Sequence, residues 1–163
     1  MIMKRLLLVL GFSLKVFPGL AQKKNILDSC NGDFKKEVQV LYDYAQRVCP
    51  SSAFDALQLF KSENPKWELV DRRSLSKPKR SKSNIFLVIV SGSSKGCTLI
   101  AEYSVLNHRS VCSALRSVLG EPYYSDVSDG RETAKWKTPG GLSVLVYVSN
   151  SYGIPSTTVL SFE

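Results

Sequence analysis

The segment Gly92-Ser93-Ser94-Lys95-Gly96 has the glycine and serine spacing with which hydrolases expose a nucleophile on a strand-to-helix turn. That chemistry requires a helix next, then an acid and a histidine further along. Here Cys97-Thr98-Leu99-Ile100-Ala101-Glu102 follows, with the alternation of a strand. The one histidine of the chain, His108, comes only 14 residues after Ser94. The segment therefore reads as a hairpin turn, and a small exported hydrolase using Ser94 or His108 is kept as an alternative. His108 lies in Leu106-Asn107-His108-Arg109-Ser110, a helix-entry stretch, and reads as solvated surface. Ser74 with Lys77 and Ser76 with Lys79 match S-x-x-K, but no helix is expected there to hold the geometry. Asp126, Asp129 and Glu132 lack the alternating oxygen register of a calcium loop. Neither a phosphate-cradling nor a dinucleotide glycine motif is present. These residues predict a non-enzyme with no catalytic set, no metal and no cofactor.

Charge is the strongest local anomaly. The 163 residues carry a net +8, and Arg72, Arg73, Lys77, Lys79, Arg80 and Lys82 place six cations and no acid within eleven residues. A nucleic-acid arm is one reading of such a run. No aromatic is interleaved to stack bases, and the export signal described below removes nucleic acid as a partner. The expected partner is a protein or an anionic envelope component such as lipid phosphate or acidic polysaccharide. Pro78 and the serines between Ser74 and Ser83 leave the segment without an apolar anchor. It is therefore predicted to spread into solvent and to bind by charge. Tyr123, Tyr124 and Tyr152, in predicted loops, are candidate partner contacts, since tyrosine offers rigid contact area at low entropic cost.

Residues 1–21 have the parts of a secretory signal peptide: Lys4 and Arg5, an apolar run from Leu6 to Leu14, and small residues at Gly19 and Ala21 before Gln22. The run is too short to span a bilayer, and Lys15 interrupts it. Loss of Lys4, Arg5 and Lys15 lowers the net charge from +8 to +5. No Asn-x-Ser/Thr sequon occurs, which favours a bacterial periplasm over a eukaryotic route. The protein is expected to be periplasmic or secreted. An even set of cysteines in an exported chain, Cys30, Cys49, Cys97 and Cys112, predicts two disulfides. A helix between Cys30 and Cys49 separates them by ~24 Å, so that pair is excluded, and the strand after Cys97 disfavours 97–112. The preferred pairing is 49–97 with 30–112, the other 30–97 with 49–112.

Composition (44% hydrophobic, 22% charged) excludes a disordered tail and a multi-span membrane protein. Residues 22–163 are expected to form a single domain. Asp33 caps a helix with Phe34, Val38, Leu41, Ala45 and Val48 on one face. Ser51 or Ser52 caps a second, with Phe54, Leu57 and Phe60 inward, stopped at Asn64-Pro65. A third starts near Asn107 or Ser110 and carries Val111, Leu115, Val118 and Leu119 to Gly120. Strands are predicted at 66–71, 85–90, 97–103, 132–137, 142–148 and 157–162, with loops at 72–83 and 123–130. The order α-α-β-β-β-α-β-β-β gives an α+β fold, an antiparallel sheet with helices packed on one face. Val88-Ile89-Val90-Ser91-Gly92-Ser93 and Val146-Tyr147-Val148-Ser149-Asn150-Ser151 lie 58 residues apart, as do Ala56-Leu57 and Ala114-Leu115. One reading is two repeat halves, about 51–104 and 108–163; the other is that any amphipathic helix and hairpin resemble another.

Leu119-Gly120-Glu121-Pro122, Trp136 and Pro139-Gly140-Gly141-Leu142 follow a helix in the order "helix, L-G-x-P, W, turn, strand". With the tandem helix-plus-three-strand pattern and four cysteines, the chain resembles the β-lactamase inhibitor protein and related exported bacterial envelope domains. The resemblance covers Phe54 to Glu163. It implies a binding sheet rather than a reaction, and it carries no functional residue across. The function expected is an exported, non-enzymatic binding protein of the bacterial envelope, of inhibitor or immunity type. A structural envelope protein held by charge to anionic lipid or polysaccharide is the alternative, beside the hydrolase.

Overall fold

Helix caps set the first elements. The Asp33 carboxylate accepts the N–H of Lys36 at 3.2 Å and starts α2 (Phe34–Val48), whose Val38, Leu41, Ala45 and Val48 are buried. The Ser52 hydroxyl accepts the N–H of Asp55 at 3.2 Å and starts α3 (Ala53–Glu63), and Asn64 closes it. A single turn, α1 (Ile26–Ser29), precedes both. Its Leu27 N–H donates to Asn64 Oδ1 at 3.1 Å, tying α1 to the end of α3. Phe54, expected inward, is 70% exposed. The buried stripe of α3 is Ala56, Leu57 and Phe60, and at ~100° per residue Phe54 stands ~200° from Ala56. The computed structural model describes residues 25–93 and 96–163. The segment 1–21, read in sequence as a signal peptide, and residues Ser94 and Lys95 lie outside the described residues.

Eight strands follow in one antiparallel sheet: β1 (Glu68–Leu69), β2 (Ser74–Ser76), β3 (Ile85–Ser93), β4 (Gly96–Ser104), β5 (Tyr124–Ser128), β6 (Arg131–Lys137), β7 (Ser143–Ser151) and β8 (Ile154–Phe162). A 3-10 turn, Val105–Asn107, and α4 (His108–Leu119) separate the first four strands from the last four. The spatial order is β1-β2-β3-β4-β8-β7-β6-β5. The fold is thus α+β with an antiparallel sheet. A helix followed by a four-strand meander occurs twice, and the last strands of the two meanders, β4 and β8, pair at the centre.

One face of the sheet makes the core. Val88, Val90, Leu99, Ala101, Tyr103, Val144, Val146, Leu160 and Phe162 pack with the buried stripes of α2, α3 and α4. Trp67 meets Phe60 edge-on at 5.4 Å. Trp136 Nε1 donates to Gly120 O at 2.9 Å, joining β6 to the end of α4.

Four sequence expectations need correction. The strand at 66–71 is only Glu68–Leu69, because Trp67 turns into the core and leaves the ladder. The loop at 72–83 contains β2, and the loop at 123–130 contains β5. Neither strand has an apolar alternation to reveal it: β2 is three residues, and every residue of β5 is exposed. The two disulfides are absent. Cys30, Cys49, Cys97 and Cys112 are all free and buried, which overturns both predicted pairings. Cys97 Sγ donates to Val48 O at 3.3 Å, Cys49 Sγ to Phe162 O and Cys30 Sγ to Ile26 O, each at 3.7 Å. They serve as small apolar core residues with a weak S–H donor. Burial raises all four thiols, Cys30 and Cys49 to about 11.

Candidate functional site

The second face of the sheet carries side chains that the helices do not cover. Strand pairing lines up Ile89, Ile100, Ser161, Leu145, Lys135 and Tyr124 in one row across β3, β4, β8, β7, β6 and β5. The adjacent row holds Leu87, Glu102, Val159 and Tyr147. These residues alternate with the core set, so they point away from the helices. Leu87, Ile89, Ile100, Leu145 and Tyr147 are partly buried by one another and by their neighbours. Val159, at the middle, is only 4% exposed yet stands outside the core cluster. Burial raises the Glu102 carboxyl above its ordinary range. At the far end Lys135 Nζ lies 5.3 Å from the centre of the Tyr124 ring. No helix among the described residues packs on this face. It presents aliphatic rows, serine hydroxyls, and phenols at one side.

The second region is a groove of 470 Å³ between α4 and the β5–β6 hairpin, lined by His108, Arg109, Cys112, Arg116, Val127 and Glu132 among others. His108 is buried, which corrects the solvated reading. Starting α4 at His108 sets it one turn from Val111 and Cys112 on the inward stripe. Its Nε2 accepts the N–H of Glu132 at 3.2 Å and lies 3.6 Å from Cys112 Sγ. Accepting at Nε2 puts the proton on Nδ1, which faces the buried Thr158 hydroxyl at 3.3 Å. Burial lowers the His108 pKa and pushes the Cys112 thiol up to about 12. Both groups are thus held neutral, the opposite of the thiolate–imidazolium pair a cysteine nucleophile needs. Arg116 clamps Glu132 with both guanidinium ends, Nη1 to Oε2 at 2.8 Å, and holds its carboxyl down at about 2. The Cys112–His108–Glu132 set therefore joins α4 to β6 and β8.

The basic run is placed differently from expectation. Leu75 of β2 is fully buried and anchors it to the core, so the segment does not float free. Lys77 Nζ donates to Ser83 O at 2.7 Å, Lys82 Nζ to Asn31 Oδ1 at 2.9 Å, and Ser81 Oγ to Asp28. Arg72, Arg73, Lys79 and Arg80 are exposed. Of the serine–lysine pairs, Ser74 and Ser76 are in β2 beside β3, and Lys77 is tied to Ser83. Ser94 lies outside the described residues, but Gly92 and Ser93 pair with Cys97 and Gly96, so the G-x-S-x-G segment joins two strands. Tyr123 and Tyr124 are exposed at β5, and Tyr152 is fully exposed at the β7–β8 tip. Tyr123 and Tyr124 are adjacent at the start of β5, and Tyr152 lies apart from them in the β7–β8 turn. Asp126 and Glu132 fall on opposite faces of the sheet, with Asp129 in the turn between β5 and β6.

The uncovered rows were missed in sequence although a signal existed. Phe86, Leu87 and Ile89 are apolar between the core residues Ile85, Val88 and Val90, so β3 is apolar on both faces. Comparison with family models, with curated proteins and with solved structures found no match for this chain.

Proposed function

We propose that the chain is an exported, non-enzymatic binding protein of the bacterial envelope, of inhibitor or immunity type, that meets its partner with the uncovered face of the sheet. The observation that carries the reading is the row Ile89, Ile100, Leu145 and Tyr124, with Leu87 and Tyr147 beside it, on a face no described helix covers. The fold leaves these aliphatic side chains only partly covered, and a partner laid on them would complete their burial. Export rests on the segment 1–21 alone, since four free thiols withdraw the support that disulfides would have given. The test is capture from periplasmic extract with the parent and with Leu145→Asp. The reading expects a partner retained at a fixed ratio by the parent and lost by the variant. A partner held equally by both, or none at all, contradicts it.

A second reading, a structural protein held to anionic lipid or polysaccharide, is favoured by the exposed Arg72, Arg73, Lys79 and Arg80 on one stretch. Replacing these four by serine abolishes sedimentation with anionic vesicles if that reading is correct, and leaves it unchanged if it is not.

A further inference from the structure

The two edges of the sheet are built differently. β1 has two residues and is flanked by Pro65, Lys66, Arg72 and Arg73, the proline and cations that blunt an edge against pairing. β5 has five residues, Tyr124–Ser128, all exposed, with no proline, lysine, arginine or register shift. Its ladder with β6 closes at the two-residue turn Asp129-Gly130, where both φ angles are positive, 51° and 71°. Pairs in such a hairpin alternate between hydrogen-bonded and open, counted from Ser128–Arg131. The backbone groups of Ser128, Asp126 and Tyr124 therefore turn to β6, and those of Ser125 and Val127 turn outward. Val127 is 65% exposed and stands on the helix side, where it lines the groove with Arg109. Asp126 stands on the uncovered face and makes no ion pair among the described residues.

We infer that β5 is a docking edge, taking an extended segment of a partner polypeptide as a ninth strand. The inference rests on the binding reading above and names how the partner is held. Outward N–H and C=O groups of Ser125 and Val127 supply main-chain bonds, and alternate side chains supply selectivity. Asp126 stands next to the added strand on the uncovered face and selects a basic side chain there, with Arg131 and Lys135 one strand further in. Val127 selects apolar side chains on the helix side, where Arg109 repels cations. The occupant is thus a strand alternating apolar and basic residues. A second copy fits less well, because β5 carries no lysine or arginine to face Asp126 in any register.

The probe is a nine-residue synthetic peptide alternating valine with lysine, read by fluorescence anisotropy at low salt. The parent binds it saturably and prefers it to the valine–glutamate peptide. Val127→Pro weakens binding by roughly tenfold or more and leaves the melting temperature nearly unchanged, because the Val127 N–H serves no ladder bond. Asp126→Lys reverses the preference between the two peptides. Should Val127→Pro fail to fold, the lysine peptide methylated at alternate amide nitrogens replaces that test and must lose binding to the parent. No binding by the parent at millimolar peptide overturns the inference, as does equal binding by Val127→Pro. A concentration-dependent dimer lost in Val127→Pro assigns the edge to a second copy and also overturns it. A captured partner lost with Leu145→Asp but indifferent to Val127→Pro overturns strand addition and leaves the binding reading standing.

Discussion

Replacing Arg116 by methionine keeps the stem and removes the charge that clamps Glu132. The bidentate contact, helped by the Ser125 hydroxyl, holds the Glu132 carboxyl at about 2 against an ordinary 4.5. A carboxyl lowered in the folded state contributes stability that is present above its unfolded value and lost as pH falls through its folded value. At ~1.36 kcal/mol per pH unit the displacement is worth at most ~3.4 kcal/mol. The Arg116 side chain is 33% exposed and that of Glu132 16%, so solvent screens the pair and ~1–2 kcal/mol is expected. Urea unfolding of parent and variant, repeated from pH 7 to pH 2, measures it. The variant should be ~1–2 kcal/mol less stable at pH 7, with the gap closing steadily below about pH 4.5. A gap that stays constant to pH 2 means that lost packing, and not the ion pair, is responsible, and refutes the electrostatic reasoning.

Leu75→Ala removes the buried anchor of the basic run and should cost ~2–4 kcal/mol in urea unfolding, with faster tryptic cleavage after Lys79 and Arg80. Ser52→Ala removes the cap of α3 and should cost ~1 kcal/mol, read as a lower thermal midpoint. Unfolding in denaturant without reductant should expose four titratable thiols, whereas two disulfides would leave none. His108 has a lowered folded pKa, so stability should decline as pH drops below its unfolded value near ~6.5. His108→Gln should flatten that slope between pH 7 and pH 5.

Elements with a buried stripe were legible in the sequence. The 4-3-4-3 spacing from Phe34 to Val48 gave α2 with its cap, and the apolar runs gave β3, β4, β7 and β8 to within a few residues. Elements without such a stripe were not. A single turn has no period, which hid α1, and β5 at the sheet edge buries no side chain that could alternate. Leu75 is one apolar residue among cations, and only its pairing opposite Val88 reveals it as core. Parity of the cysteines misled because burial alone accounts for four thiols. His108 is inward because α4 begins at that residue, and a start at Ser110, equally open to sequence, leaves it outside the helix. The uncovered face is a property of strand order: no single strand reports that Ile89, Ile100, Leu145 and Tyr124 share a row.

The central claim is that the partner lies on the uncovered sheet face. Hydroxyl-radical footprinting of the captured complex tests it most directly, with Phe54 of α3 and Leu106 of the 3-10 turn, 70% and 89% exposed, as reporters outside the sheet rows. Leu87, Ile100, Leu145 and Tyr147 are expected to lose reactivity on complex formation while Phe54 and Leu106 keep theirs. Protection of Phe54 and Leu106 with the sheet residues unchanged would contradict it.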